Sequence, residues 1–236
     1  MMTPVHSLMS LSKQLRQVSP GNLHYRGTMG LNYSYLIYFK RERLWDALTG
    51  LVKICDPIDP PPTTIHFPDH DLILPIATEY FEENELPYDK SEIKFAISML
   101  FDEDEVILDY LSTIDNDWLH RAPPRDEGIE QVTIGLIYLT VYTDLSKHFA
   151  FKKPTDLVLF RFGTTGTRMS FLFSESESIR RTFTELLENY DGITGIFDRE
   201  IDYGQLFWFM GKQMEKDVES VYVLPDEIEE MLRRGW

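Results

Sequence analysis

The 236-residue sequence predicts a mixed α+β fold built on a mostly antiparallel sheet, and three observations carry that prediction. Stretches in which every second residue is apolar or aromatic are interspersed with stretches whose apolar residues recur every three to four positions. Several strand-like stretches follow one another with only a turn between them, which favours antiparallel neighbours. Aromatic residues make up 13% of the chain, and their side chains suit pleated, sheet-rich cores.

Taken in order, Leu31 to Phe39 is a strand, because Leu31, Tyr33, Tyr35, Ile37 and Phe39 present one apolar face. Leu44, Trp45, Leu48, Leu51, Val52 and Cys55 then share one side of a helix, which Asp56-Pro57 ends. The prolines from Pro57 to Pro62 enforce an extended connector. Thr63 to Phe67 and Leu72 to Ala77 read as short strands about the turn Pro68-Asp69-His70-Asp71. After an acidic link, Glu92 to Phe101 alternates again, and a short acidic helix follows over 104–114.

Trp118 to Gly128, with Pro123-Pro124, reads as a linker. Beyond it, Gln131 to Tyr142 is apolar on both faces and is expected to be a central strand. Leu157 to Phe162 and Arg168 to Phe173 flank Gly163-Thr164-Thr165-Gly166 and read as a hairpin. Ser174 and Glu177 form a capping-box pattern ahead of a helix carrying Ile179, Phe183, Leu186, Leu187 and Tyr190. A short strand covers Ile193 to Phe197. Leu206, Met210, Met214 and Val218 suggest a helix, and Pro225 opens a last one, acidic in its first turns and basic at Arg233-Arg234.

The element orders of 29–122 and 129–236 each resemble an incomplete split β-α-β, ferredoxin-like unit. Two such halves are expected, as separate domains or fused into one. Residues 1–28 stand apart: they hold Lys13, Arg16 and Arg26 and no acid. That segment reads as a flexible or helical extension ahead of Met29, with an initiation site at Met29 and an organelle-targeting helix as competing readings.

Charge and composition exclude several functional classes. The net charge is −16, which opposes binding to phosphate backbones, so no nucleic-acid partner is expected. The single cysteine, Cys55, removes any intrachain disulfide and fits a cytoplasmic protein. No apolar run has the roughly 20 residues of a membrane span. The acids are concentrated: 79–117 holds 13 of them against Lys90 and Lys94. A partner that reads charge is expected to bind there.

One cluster bears on chemistry. His66, Asp69, His70 and Asp71 bring imidazole and carboxylate groups together within six residues, a candidate site for a divalent metal. The competing reading is a polar hairpin tip, since Asp69 and Asp71 are common turn formers; a full metal site also needs ligands from afar, such as His120 or His148. Gly163 to Thr167 resembles a phosphate loop but lacks its lysine and spacing. Nucleophile elbows and dinucleotide fingerprints are absent, and Tyr33, Tyr35, Tyr38 and Phe39 read as core before they read as a base-stacking platform. The expected function is a non-enzymatic binding or regulatory protein with a macromolecular, protein partner; the alternative is a metal-dependent enzyme or metal-binding protein centred on His66 to Asp71.

Overall fold

Strand β1 (Ser34–Lys40) runs through the interior of a nine-stranded sheet and is buried on both faces. The computed structural model describes residues 30–56, 61–79, 83–113, 121–122, 130–149, 155–201, 203–220 and 222–234. The expected extension 1–28 and most of the linker 118–128 lie outside them. The alternation in β1 predicts one apolar face. Tyr35, Ile37 and Phe39 do enter the larger core, but Leu36 and Tyr38 enter a second core on the opposite side. The strand has a neighbour at each edge and a packed layer on each face, so it needs apolar residues at successive positions.

Helix α1 (Leu44–Val52) follows, then strands β2 (Thr63–His66), β3 (Asp71–Leu74), β4 (Ala77–Thr78), β5 (Glu85–Pro87) and β6 (Glu92–Asp102). Helix α2 (Glu105–Ser112) precedes β7 (Arg121–Ala122), β8 (Gln131–Tyr142) and β9 (Leu157–Gly163). Helices α3 (Thr167–Glu175) and α4 (Glu177–Asn189) lead to β10 (Thr194–Asp198), β11 (Gly204–Phe209), β12 (Lys212–Val218) and helix α5 (Pro225–Arg233). The large sheet has the order β12-β11-β10-β1-β9-β8-β6-β4, with β7 also paired to β8. Its pairings are antiparallel. A three-stranded sheet, β3-β2-β5, stands beside it and contains a parallel β2–β5 pair.

The α+β class with antiparallel sheet is therefore correct, and its connectivity differs from two repeated halves. β9 and β10 both pair antiparallel with β1, so they are parallel to each other. The chain crosses from one to the other through α3 and α4, a single split β-α-β crossover that straddles a strand from the other expected half. Leu31–Trp236 forms one compact unit.

Four helices cover one face of the large sheet. Leu48 and Leu51 of α1, Ile107 and Leu111 of α2, Leu172 and Phe173 of α3, and Phe183 and Leu187 of α4 all enter the larger core. Ile65, Leu74 and Leu86 of the small sheet join it. Helix α5 covers the other face, placing Ile228 against Leu36, Tyr38, Leu159 and Leu206. No helix among the described residues is long and apolar enough to cross a membrane.

Two expected elements are corrected. Arg168 to Phe173 is not the second arm of a hairpin but lies in α3. Met169, Leu172 and Phe173 are its buried apolar residues, at i, i+3 and i+4, which is helical spacing. Leu206 to Val218 is not a helix but the β11–β12 hairpin. Phe207 and Trp208 enter the first core while Leu206 and Phe209 enter the second, so bulk on all sides marks a doubly buried strand. Met210 (φ 48°) and Gly211 (φ 81°) make the turn, with the left-handed pair that a tight hairpin requires. The helix start expected at Ser174 also moves: Ser176 caps α4, its Oγ accepting from Ile179 N at 3.1 Å.

Candidate functional site

The His66 turn folds as a hairpin tip. β2 ends at His66, Phe67 N donates to His70 O at 2.9 Å, and β3 resumes at Asp71. Cross-strand pairing sets His66 opposite Asp71, with Nδ1 2.8 Å from Asp71 Oδ1 and Nε2 3.9 Å from Glu85 Oε2. His70 turns the other way: its ring stacks on Phe67 at 4.5 Å, and its Nδ1 lies 2.9 Å from Asp69 Oδ1. That hydrogen bond holds the exposed Asp69 carboxyl below its usual range. The four side chains thus form two His–Asp pairs. Among the described residues no group of three or more His, Cys, Asp or Glu side chains is placed to hold a metal ion. His148 lies against the Tyr142 ring at 5.0 Å, and His120 is outside the described residues.

The Gly163–Thr167 loop opens α3, contrary to the hairpin expectation, yet its hydroxyls are committed to the fold. Thr164 Oγ1 and Ser170 Oγ share a 2.7 Å hydrogen bond. Ser170 Oγ also accepts from Tyr33 N at 3.0 Å, and Thr167 Oγ1 accepts from Leu31 N at 3.1 Å. The loop fastens the chain leading into β1 to the start of α3.

Two further sequence candidates are core. Cys55 is buried, donates to Leu51 O at 3.5 Å, and has its thiol pushed up to about 12 by burial, with Asp56 adding to the effect. Tyr35 is buried among Phe183, Phe197 and Phe207 and donates its hydroxyl to Phe173 O at 3.0 Å.

A polar cluster that the sequence did not single out joins β1, β9 and β10. Arg161 Nε lies 3.4 Å from the buried Ser34 Oγ. Burial raises the Asp198 carboxyl, against the backbone hydrogen bond from Glu200 and the charge of Arg161. Glu200 sits at φ 56° and accepts from Asn32 N at 2.9 Å. These contacts fix the start of β1 from the side opposite Thr167. A groove of about 320 Å³ lies elsewhere, lined by Leu157, Met210, Leu224 and Pro225 with Asp226 and Glu229.

The acidic stretch 79–117 supplies the most distinctive surface. α2 packs against α3, and hydrogen bonds pin the pair at both ends. At the start of α2, Asp104 accepts from Ile107 N (2.8 Å), Ser176 Oγ (2.7 Å) and Ser178 N (3.1 Å). At its end, Arg168 Nη1 donates to Thr113 O at 3.5 Å. The helices therefore run antiparallel. Glu105, Leu108, Asp109 and Ser112 form the exposed stripe of α2, and Arg168, Phe171 and Glu175 that of α3. Leu108 is 43% exposed and Phe171 48%, large values for such side chains. Glu105, Asp109 and Glu175 have no ion pair among the described residues. Sequence reasoning located the acid excess but not the two exposed apolar residues, which lie on the helices α2 and α3 that pack on one another. Compared with protein-family profiles, curated proteins and solved structures, the chain has no match.

Proposed function

We propose that the protein is a non-enzymatic binding or regulatory protein that acts through a macromolecular partner, a protein recognised at an acidic surface. The observation that carries this reading is the α2–α3 face, where two large apolar side chains stand exposed among carboxylates that have no cationic partner among the described residues. Exposed apolar side chains grouped inside a polar rim are the usual anatomy of a protein-binding patch. The net charge of −16 repels phosphate backbones and speeds encounter with cationic proteins.

The test is affinity capture with the intact protein, followed by reconstitution with the purified captured protein at low and high salt. A saturable one-to-one complex that weakens as salt rises supports the reading. Failure of every captured protein to rebind once purified removes it.

A further inference from the structure

We propose that the outward face of the α2–α3 pair docks a short basic amphipathic helix of the protein partner, with Leu108 and Phe171 as its apolar anchors. This deepens the partner-binding reading and rests on it. The pinned helix ends set the geometry. Leu108 lies four residues from Asp104 and Phe171 five residues from Ser176, the two residues hydrogen-bonded at one end of the pair. At about 1.5 Å per residue these are about 6 and 7.5 Å along antiparallel axes, so the two side chains stand at nearly the same level on adjacent helices. Both point outward while Ile107, Leu111, Leu172 and Phe173 point into the core.

Charge chooses the occupant and its orientation. Glu105 and Glu175 flank the anchors at the Asp104 end, and Asp109 is one residue from Leu108. Arg168, the one exposed cation in the two stripes, is at the Thr113 end. A ligand with an apolar stripe and lysines or arginines toward one end satisfies both features, its basic end lying over Glu105 and Glu175. An apolar ligand lacking cations leaves the carboxylates desolvated without partners, which is costly. An acidic one is repelled.

The experiment uses the full chain and a synthetic amphipathic peptide with leucines at i, i+4 spacing and lysines grouped at one end. Amide chemical shifts map the site, and titration calorimetry gives Kd. The expected shifts concentrate in α2 and α3. Leu108→Ser with Phe171→Ser weakens Kd by roughly tenfold or more, the scale of losing anchor residues. Arg168→Gln tightens it. Ile73→Ser, which alters an exposed aliphatic residue on β3, leaves it unchanged. The anchors are exposed, so the double variant should keep its fold; a wild-type far-UV spectrum and melting temperature confirm that. Wild-type affinity in the folded double variant overturns the proposal, as do shifts located elsewhere or equal affinity for a scrambled peptide. Any of these relocates or abolishes this site while a reconstituted partner complex still stands. Loss of that complex as well removes the wider reading.

Discussion

Ser176 Oγ donates to Asp104 Oδ2 at 2.7 Å while accepting from Ile179 N at 3.1 Å, so one carboxylate and one hydroxyl together cap two helices. Asp104 Oδ1 receives Ile107 N at the start of α2, and its Oδ2 also receives Ser178 N in the first turn of α4. Donors that a helix start leaves unpaired are thus satisfied at α2 and α4 through one aspartate. The α2–α3 face depends on this joint, because it fixes the level of Leu108 against Phe171.

Asp104→Ala is therefore expected to cost more than an ordinary cap loss. Each lost cap is worth about 1 kcal/mol and up to about 2, so a total of about 2–3 kcal/mol is expected in urea denaturation at neutral pH. Ser176→Ala, which removes one cap and leaves Asp104 in place, should cost about half of that.

The same joint gives stability a pH dependence. Burial works to raise the Asp104 pKa, but hydrogen bonds from Ser176, Ile107 and Ser178 outweigh it and hold the carboxyl below its usual range. A carboxyl lowered in the folded state contributes stability above its unfolded value of about 3.9, and that contribution is lost as the pH falls through the folded pKa. The advantage of the wild type over Asp104→Asn should be full at neutral pH and shrink below about pH 4. A difference that stays constant down to that range would show that the charged form of Asp104 is not what the fold selects.

The elements read correctly from sequence are those whose one-sided burial leaves a clean period. α1 exposes a single stripe and buries Leu44, Leu48 and Leu51, and the acids and basic end of α5 match its dipole. The misread elements have local patterns that satisfy two periods at once. Arg168 to Phe173 is too short to separate alternation from helical spacing, and the burial of Met169, Leu172 and Phe173 decides it. In β11 both faces are packed, so Leu206 to Phe209 shows no alternation at all. The His66 turn was legible because it is local. The Leu108–Phe171 pair was not, because nothing near either residue in the sequence announces the other.

The β11–β12 turn offers a test of backbone strain. Met210 takes a left-handed conformation that an L-residue with a long side chain adopts at a cost of about 1–2 kcal/mol, whereas Asn tolerates it. Its N–H donates to Ile193 O at 2.8 Å, a bond any residue but proline keeps. Met210→Asn is expected to stabilise the protein by about 0.5–1 kcal/mol. Gly211→Ala should destabilise it by about 1 kcal/mol, for backbone reasons alone, since a Cβ there meets nothing within 4 Å. Denaturation midpoints of the two variants should move in opposite directions.

Gly50 supplies a case in which helix propensity gives the wrong sign. It lies in α1, where Gly→Ala ordinarily gains about 1 kcal/mol. Its face is pressed by the Tyr190 ring, into which an added Cβ would project. Gly50→Ala should therefore destabilise the wild type. In a Tyr190→Ala background the clash disappears and the same change should stabilise, so the double-mutant cycle gives a large favourable coupling. Additive effects would mean that the ring moves aside freely.

The last prediction separates the two functional readings at the His66 turn. His66 and His70 each hold a different carboxylate, Asp71 and Asp69, on an exposed tip. Exposed pairs of this kind contribute little, so His66→Ala with His70→Ala should change stability by less than about 1 kcal/mol. A functional metal needs three or four ligands converging on one centre, and among the described residues no three such side chains are placed to hold one. Purified wild-type protein should therefore contain no stoichiometric transition metal by elemental analysis, and added zinc should not raise its melting temperature. A near-stoichiometric metal that the double variant loses would show the two pairs closing on one ion, and would replace partner binding at α2–α3 with metal chemistry at this turn.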